Sequence, residues 1–352
     1  MVAGPRALAG IVDLEAALDA ALVDRRSVSR FHATWLEPAI RWSSALWDMA
    51  VALGPADIAD TTRAQGSSLA VRPVFICGAH RSGTTLMRDL LDGHPALVVL
   101  PAEASYFGDL QRRMARLSAD DAASLLGQTW LRRLANPNNQ PPFWLLGRSS
   151  AEASPYLDFA RRLLAWLSAC PAPLAAVALA YAGRLDGVTG WIEKTPGTER
   201  HLDAIRAAFP EAKVIHVVRA PRDVAASHKA LISRADESAT GMPAALGALA
   251  RSCRIAARNV RREPPARYRI VHYEDLVARR DQVMSEIAAF LAITSHEALL
   301  RPTIAGLATV KNSSFPDEGD RLPPRFTLRE RILLAVATAC YWSLPAAESA
   351  PG

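Results

Sequence analysis

Residues 71–95, VRPVFICGAHRSGTTLMRDLLDGHP, set a short apolar run directly before a loop with two glycines and a helical pattern. The spacing predicts a buried strand over 71–77 and a helix over 84–91. Gly78 and Gly83 let the backbone bend tightly and approach a ligand closely. The first N–H groups of the helix have no partners within it and sit at the positive end of its dipole, a setting that suits phosphate. Ser82, Thr84 and Thr85 add hydroxyl donors, and Arg81 adds a charged fork matched to phosphate or sulfate oxygens. Gly78 and Gly83 keep the spacing of the nucleoside-triphosphate loop GxxxxGK[ST], but Thr84 stands where that loop has Lys. A nucleoside triphosphatase needs the Lys on its terminal phosphates; a nucleotide without a triphosphate does not. A glycine-containing turn with no ligand is the alternative reading of the loop taken alone.

The rest of the chain places this loop in an α/β context. Residues 12–53 show helical apolar spacing, with Leu14, Leu18 and Leu22 and then Trp35, Ile40, Trp47 and Val51. Residues 54–70 are polar and turn-rich and read as a connection. Residues 104–190 read as helical with a Pro/Asn-rich surface loop at 136–142. Strands are expected at 191–193, 213–218 and 268–272, and helices at 199–209, 222–233, 244–262 and 282–291. This alternation predicts a P-loop-like three-layer α/β fold with a mainly parallel central sheet and added helices. The expected domains are a helical lead-in over 1–70, a catalytic α/β domain over 71–325 and a C-terminal helix and tail over 326–352.

A second constellation, VIHVVRAPRDVAASHK, spans residues 214–229. Arg219 falls just past the C-terminal end of a strand, where open α/β sheets bind their ligands. Pro221 suits the first position of the next helix and Asp223 its first turn. Ser227 lies eight residues beyond Arg219, within reach of the same anion. A plain connection with Arg222 and Asp223 paired at the surface is the competing reading.

Composition narrows the class of ligand. The net charge of +6 and pI near 9.4 favour anions. No dense basic run interleaved with aromatics appears, so a small anionic cofactor is expected and nucleic acid is not. Only four of the 41 basic residues are Lys (Lys194, Lys213, Lys229, Lys311), which reads as GC-rich coding bias and makes each Lys worth weighing. The four cysteines are widely spaced and read as buried thiols in a reducing compartment, with no metal site expected. The apolar stretch 163–183 is broken by Pro171 and Pro173, so two buried helices are expected in place of a membrane span. The first 14 residues carry Pro5, Arg6 and Asp13 without a cleavage pattern, and a cytoplasmic location is expected.

Together the motifs resemble the PAPS-dependent sulfotransferase family over roughly residues 70–325. GAHRSGTTLMRDLL is similar to its 5′-phosphosulfate loop and VRAPRDVAAS to its 3′-phosphate motif. WIEKTP (191–196) resembles the Glu-Lys-Thr-Pro stretch of the bacterial and tyrosylprotein-type branches. IVHYEDLV (270–277) resembles the Tyr-Glu-Asp-Leu segment, and KNSSF (311–315) the C-terminal loop over the nucleotide. The resemblance implies that Arg81, Ser82, Gly83, Thr84 and Thr85 hold the 5′-phosphosulfate. It likewise implies that Arg219 and Ser227 hold the 3′-phosphate, with Tyr273 and Lys311 among the cofactor-binding residues. In the tyrosylprotein-like branch a Glu follows the His-Pro that ends the first helix. Here Glu103 stands there, slightly farther from His94 and Pro95.

The reaction so implied moves a sulfuryl group from PAPS to a hydroxyl of a small-molecule acceptor. Glu103 is then the candidate general base, with a solvated loop carboxylate as its alternative. Lys194 is the candidate for the bridging oxygen, where charge grows in the transition state. His80 either touches the transferred group or shapes the loop. His216 reads as a satisfied core residue, while Glu274 and Asp275 either organise the pocket or simply start a helix. Trp130, Trp144, Leu145 and Trp166 hint at an apolar acceptor, though the same residues would serve a core. A P-loop kinase or nucleoside triphosphatase acting on a small molecule is the competing class; it requires a Lys before Thr85.

Overall fold

A computed structural model of the chain describes residues 28–135, 145–146, 153–170, 172–235, 241–308 and 326–344. The elements run α1 (Val28–Leu53), α2 (Asp60–Ala70), β1 (Pro73–Cys77), α3 (Thr84–Leu91), β2 (Leu97–Val99), α4 (Ala119–Ala135), α5 (Ala153–Ala169) and α6 (Pro173–Ala182). They continue β3 (Gly190–Lys194), α7 (Leu202–Ala208), β4 (Lys213–Val218), α8 (Pro221–Ala235), α9 (Gly241–Arg262), β5 (Tyr268–His272), α10 (Tyr273–Ala278) and α11 (Arg280–Leu291). A hairpin of β6 (Thr303–Ile304) and β7 (Leu307–Ala308) precedes α12 (Leu328–Trp342). The chain divides into two compact units: Met1–Ala70 with Leu100–Asp186, and Val71–Val99 with Gly187–Gly352.

The first unit is helical among its described residues. The buried stripe of α1 is Ala39, Trp42, Ser43, Leu46, Trp47 and Ala50, at three- and four-residue steps. Ile40 and Val51, expected on that stripe, are instead 44% and 55% exposed. Their apolar character misled the helical phase, because Ala39, Ser43 and Ala50 are the smaller residues that let neighbours pack. Residues 60–70, expected as part of a connection, form α2. Asp60 suits the positive end of that helix, and Gly66 lies so close to the Trp166 indole that a Cβ would meet it at 2.1 Å. The Trp42 and Tyr156 rings meet edge-on at 5.2 Å. Trp130 and Trp166 are fully buried, so these two belong to the core and supply no apolar acceptor surface; Trp144 lies outside the described residues. The 163–183 stretch forms the end of α5 and all of α6, and no described helix is long and apolar enough to cross a membrane.

The second unit is a five-stranded parallel sheet in the order β2-β3-β1-β4-β5 with helices packed on it, the three-layer α/β architecture expected from the alternation. All five residues of β1 and all five of β3 are buried, which explains the uninterrupted apolar character of β1. Val74, Ile76, Ile192, Ile215 and Val217 face α3 and α11 through Leu86, Leu90, Met284 and Ile287. On the opposite face Phe75, Trp191 and Phe209 meet at 5.6–6.0 Å between ring centres. The expected helix over 199–209 is a 3₁₀ turn, Thr198–His201, leading into α7. Three of the four cysteines are buried as expected, whereas Cys340 is half-buried. The β6–β7 hairpin, too short to show in the sequence, is fixed by the Asp92 carboxylate, which accepts from Thr303 Oγ1 at 2.6 Å and from the Gly306 N–H at 2.9 Å. The lead-in residues 1–27, the loop at 136–142 and the tail beyond 344 lie outside the described residues.

In α4, Gly127 faces the Trp47 indole, and a Cβ there would meet ring atoms at 2.0 Å. Gly127→Val should therefore lower stability by about 1–3 kcal/mol through overpacking, read as a lowered denaturation midpoint.

Candidate active site

Because the strands of the sheet are parallel, their C-terminal ends share one edge, and β1 sits where the chain switches sides. The loop after β1 therefore opens at the centre of that edge. Gly78 has φ 139°, and a Cβ there would lie 2.2 Å from the Val217 carbonyl oxygen of neighbouring β4. Gly83 has φ 98°, and a Cβ would lie 2.3 Å from the Tyr273 ring. Between them Arg81 adopts φ 69°, a left-handed conformation uncommon for a side chain of its size. Ser82 ties the loop to itself, donating from Oγ to the Ala79 carbonyl at 2.6 Å. Gly83 caps α3 without any side-chain cap bond, so the loop reaches the helix with its opening amides uncapped by a side chain.

The second turn meets the first. Arg81 Nε donates to Ser227 Oγ at 2.9 Å, and Arg219 donates to the Arg81 carbonyl at 3.3 Å. The Arg219 guanidinium stacks on the Tyr273 ring at 4.2 Å. Its Nε is buried with no hydrogen-bond partner among the described residues. A buried cationic donor left in this way is costly unless an anion completes it. Glu274 holds the turn in place: its carboxylate accepts from the Ala220 N–H at 2.8 Å and from the Tyr341 hydroxyl at 3.1 Å. Burial, then the nearby Arg81 and His80 charges, push the His228 imidazole below its usual range. His80 itself is exposed.

Lys194 ends β3 and is only 2% exposed. Register sets it opposite Ile76 of β1, and its Nζ donates to Thr85 Oγ1 at 3.3 Å. The ammonium missing from position 84 thus arrives at the loop from the adjacent strand. The Glu193 carboxylate accepts from Thr195 Oγ1. The stretch that follows clamps the loop: the Gly197 N–H donates to the Gly78 carbonyl at 2.9 Å, and the Gly78 N–H donates to Glu199 at 3.2 Å.

The second unit therefore gathers Arg81, Ser82, Gly83, Thr84, Thr85, Lys194, Arg219, Ser227 and Tyr273. Glu103 belongs to the first unit, half-buried four residues beyond the end of β2. Lys311 lies outside the described residues. Sequence reasoning missed Glu199 and Ser252, which bond each other and the Gly78 backbone, and Tyr341, which bonds the Glu274 carboxylate. Their only signal was position, since a Glu five residues beyond Lys194 looks like any exposed acid at a helix start. His216 is the satisfied core residue expected, bonded to Tyr268 and Ser252.

The sulfotransferase family model matches residues 73–297, well over half of the chain, and the chain belongs to the sulfotransferase family. It is a transferase, and membership implies PAPS as the sulfuryl donor. No curated protein matches the chain. Among solved structures it is similar to a sulfotransferase domain from the Synechococcus PCC 7002 olefin synthase. That match has 25% identity over 75% of this chain and 93% of that one, with a TM-score of 0.46. It is also similar to a sulfotransferase domain from the curacin biosynthetic pathway (20% identity, 77% and 98% coverage, TM-score 0.43). Sulfotransferase STF1 from Mycobacterium tuberculosis H37Rv is a third, at 17% identity, 97% and 94% coverage and TM-score 0.48. The family assignment rests on the family match and not on these likenesses.

The residues fit a nucleotide phosphorylated at two ends. The loop presents amides uncapped by a side chain, and Arg219 keeps its buried Nε unmatched among the described residues while Ser227 pairs with Arg81. Bound PAP should raise the His228 pKa, because an anion favours the protonated ring. Its affinity should then rise as pH falls below the ordinary imidazole range, as calorimetric titration at several pH values would show.

Proposed function

We propose that the protein transfers the sulfuryl group of PAPS to a hydroxyl of a small-molecule acceptor, releasing PAP and a sulfate ester. The observation that carries this reading is the Arg81–Ser227 bond, which joins the phosphate loop to the second anion-binding turn. A triphosphate would ask for one extended cradle and a Lys at position 84; two joined cradles suit a nucleotide bearing phosphate at both the 5′ and 3′ positions. PAPS brings an activated sulfuryl group, and the chain supplies positions and charges. Residues 81–85 hold the 5′-phosphosulfate through backbone and hydroxyl donors. Arg219 and Ser227 hold the 3′-phosphate, with the Tyr273 ring stacked against the guanidinium. Lys194 stabilises the charge that grows on the bridging oxygen as its bond to sulfur breaks. Glu103 accepts the proton of the acceptor hydroxyl as that oxygen bonds to sulfur. Lys311 is proposed as a further cofactor-binding residue. No step calls for a metal.

WIEKTP together with Glu103 favours the bacterial, tyrosylprotein-like branch, and the domain limits proposed are 71–325 for catalysis with 104–190 on the acceptor side. The proposed setting is cytoplasmic, in keeping with a small acceptor in place of a secreted protein or surface glycan.

Incubation with labelled PAPS and host small-molecule extract, followed by mass spectrometry, should reveal sulfated products. ATP hydrolysis without PAPS turnover would overturn the reading. Lys194→Ala should lower kcat by about 100-fold or more while leaving PAP affinity within about threefold. Glu103→Ala should lose turnover in the same manner, and unchanged turnover would remove Glu103 as the base. Arg219→Ala should weaken PAP binding by about 10- to 100-fold, the scale of a lost charge-assisted hydrogen bond.

A further inference from the structure

Beneath the phosphate loop a line of buried polar side chains crosses the sheet. Tyr268 on β5 lies 2.6 Å through its hydroxyl from His216 Nδ1 on β4. His216 Nε2 lies 3.0 Å from Ser252 Oγ on α9, and Ser252 Oγ donates to Glu199 Oε1 at 2.7 Å. Glu199 Oε2 takes the Gly78 N–H. All four side chains are buried.

The donors dictate a single polarity. A carboxylate only accepts, so both Glu199 oxygens receive hydrogen bonds, one from the Gly78 N–H and one from the Ser252 hydroxyl. Ser252 has spent its only proton and must accept from His216, which puts the imidazole hydrogen on Nε2. Nδ1 is then bare and accepts from Tyr268. Burial keeps the imidazole neutral and the phenol protonated, as this order requires. The Cys77 thiol lies against Glu199 and His216 within 4.8 Å. Every oxygen of Glu199 and nitrogen of His216 has a protein partner, so the cluster is organised for hydrogen bonding.

We propose that Tyr268, His216, Ser252 and Glu199 form a positioning relay that fixes the Gly78 peptide and hence the mouth of the phosphate loop. Gly78 has no Cβ to lock its peptide by packing, and its φ of 139° is open to few alternatives only because both its polar groups are held. The Gly197 N–H holds the carbonyl and Glu199 holds the N–H. Both holders lie on the stretch that carries Lys194, so the relay also sets the distance between that ammonium and Thr85.

Substituting Glu199 by Gln separates a relay from core filler. The Gln carbonyl can still accept from Gly78, but its NH₂ must donate to Ser252. Ser252 then no longer gives its hydrogen to residue 199 and is free to donate to His216 Nε2, with the ring hydrogen on Nδ1. Nitrogen-15 NMR of unliganded protein should therefore show His216 as the Nε2–H tautomer in the wild type, with the population shifted toward Nδ1–H in Glu199→Gln. An Nδ1–H tautomer in the wild type overturns the proposal. A second arm rests on the PAPS reading. Glu199→Ala should bind PAP about tenfold or more weakly, while Glu199→Gln stays within about threefold of wild type. Wild-type affinity in Glu199→Ala overturns the relay. Failure of the wild type to bind PAP would overturn the donor reading alone, since the tautomer arm uses no nucleotide. Should Glu199→Ala not fold, the wild type and Glu199→Gln still decide by tautomer.

Discussion

The closeness of the Gly78 backbone to the Val217 carbonyl, which leaves no room for a Cβ, governs how the carboxyl edge of the sheet is built. A parallel sheet can bring several loops to one edge, but the central loop must turn without pushing its neighbours apart. Gly78 allows that turn beside β4. Gly83 then allows α3 to start under the Tyr273 ring. With both approaches made, Arg81 lies within hydrogen-bond reach of Ser227, and Arg219 within reach of the Arg81 carbonyl. Two segments about 140 residues apart in sequence become one cationic rim. Within it Arg219 keeps a buried donor unmatched among the described residues.

Lys194 shows how the same edge replaces a motif by geometry. The loop lacks the Lys of a triphosphate-binding sequence, yet an ammonium still reaches Thr85 from the end of β3. Arriving from the neighbouring strand, it approaches the loop from the side and not from within the chain of phosphates. The role proposed for it, at a single bridging oxygen, uses that approach. The pairing of Glu193 with Thr195, on the opposite face of the strand, leaves Lys194 directed at the loop.

Much of this was legible in the sequence because the informative residues are local. Strand β4 and helix α3 were read to the residue, since an uninterrupted apolar run and a glycine turn are short-range signals. The phase of α1 was not, because Ile40 and Val51 look more like core than Ala39 and Ser43 do, and only packing decides. Helix α2 was hidden by its polar composition; what stabilises it is the fit of Gly66 against Trp166, a contact set by a residue 100 positions away. Within the site, the residues gathered at the sheet edge, such as Arg81, Arg219 and Ser227, were visible through their motifs. Those that hold the motif, Glu199, Ser252 and Tyr341, were not. Their partners are backbone groups or polar side chains far away in sequence, and nothing in their local sequence distinguishes them from ordinary polar residues.

A nucleotide gripped at both ends is the centre of this account, and removal of one end from the ligand tests it most directly. Calorimetric titration of the protein with PAP and with adenosine 5′-phosphosulfate, which lacks the 3′-phosphate, separates the two cradles. PAP should bind about 10- to 100-fold more tightly, and the difference should vanish in the Arg219→Ala variant. Equal affinities for the two nucleotides in the wild type would contradict the two-ended grip.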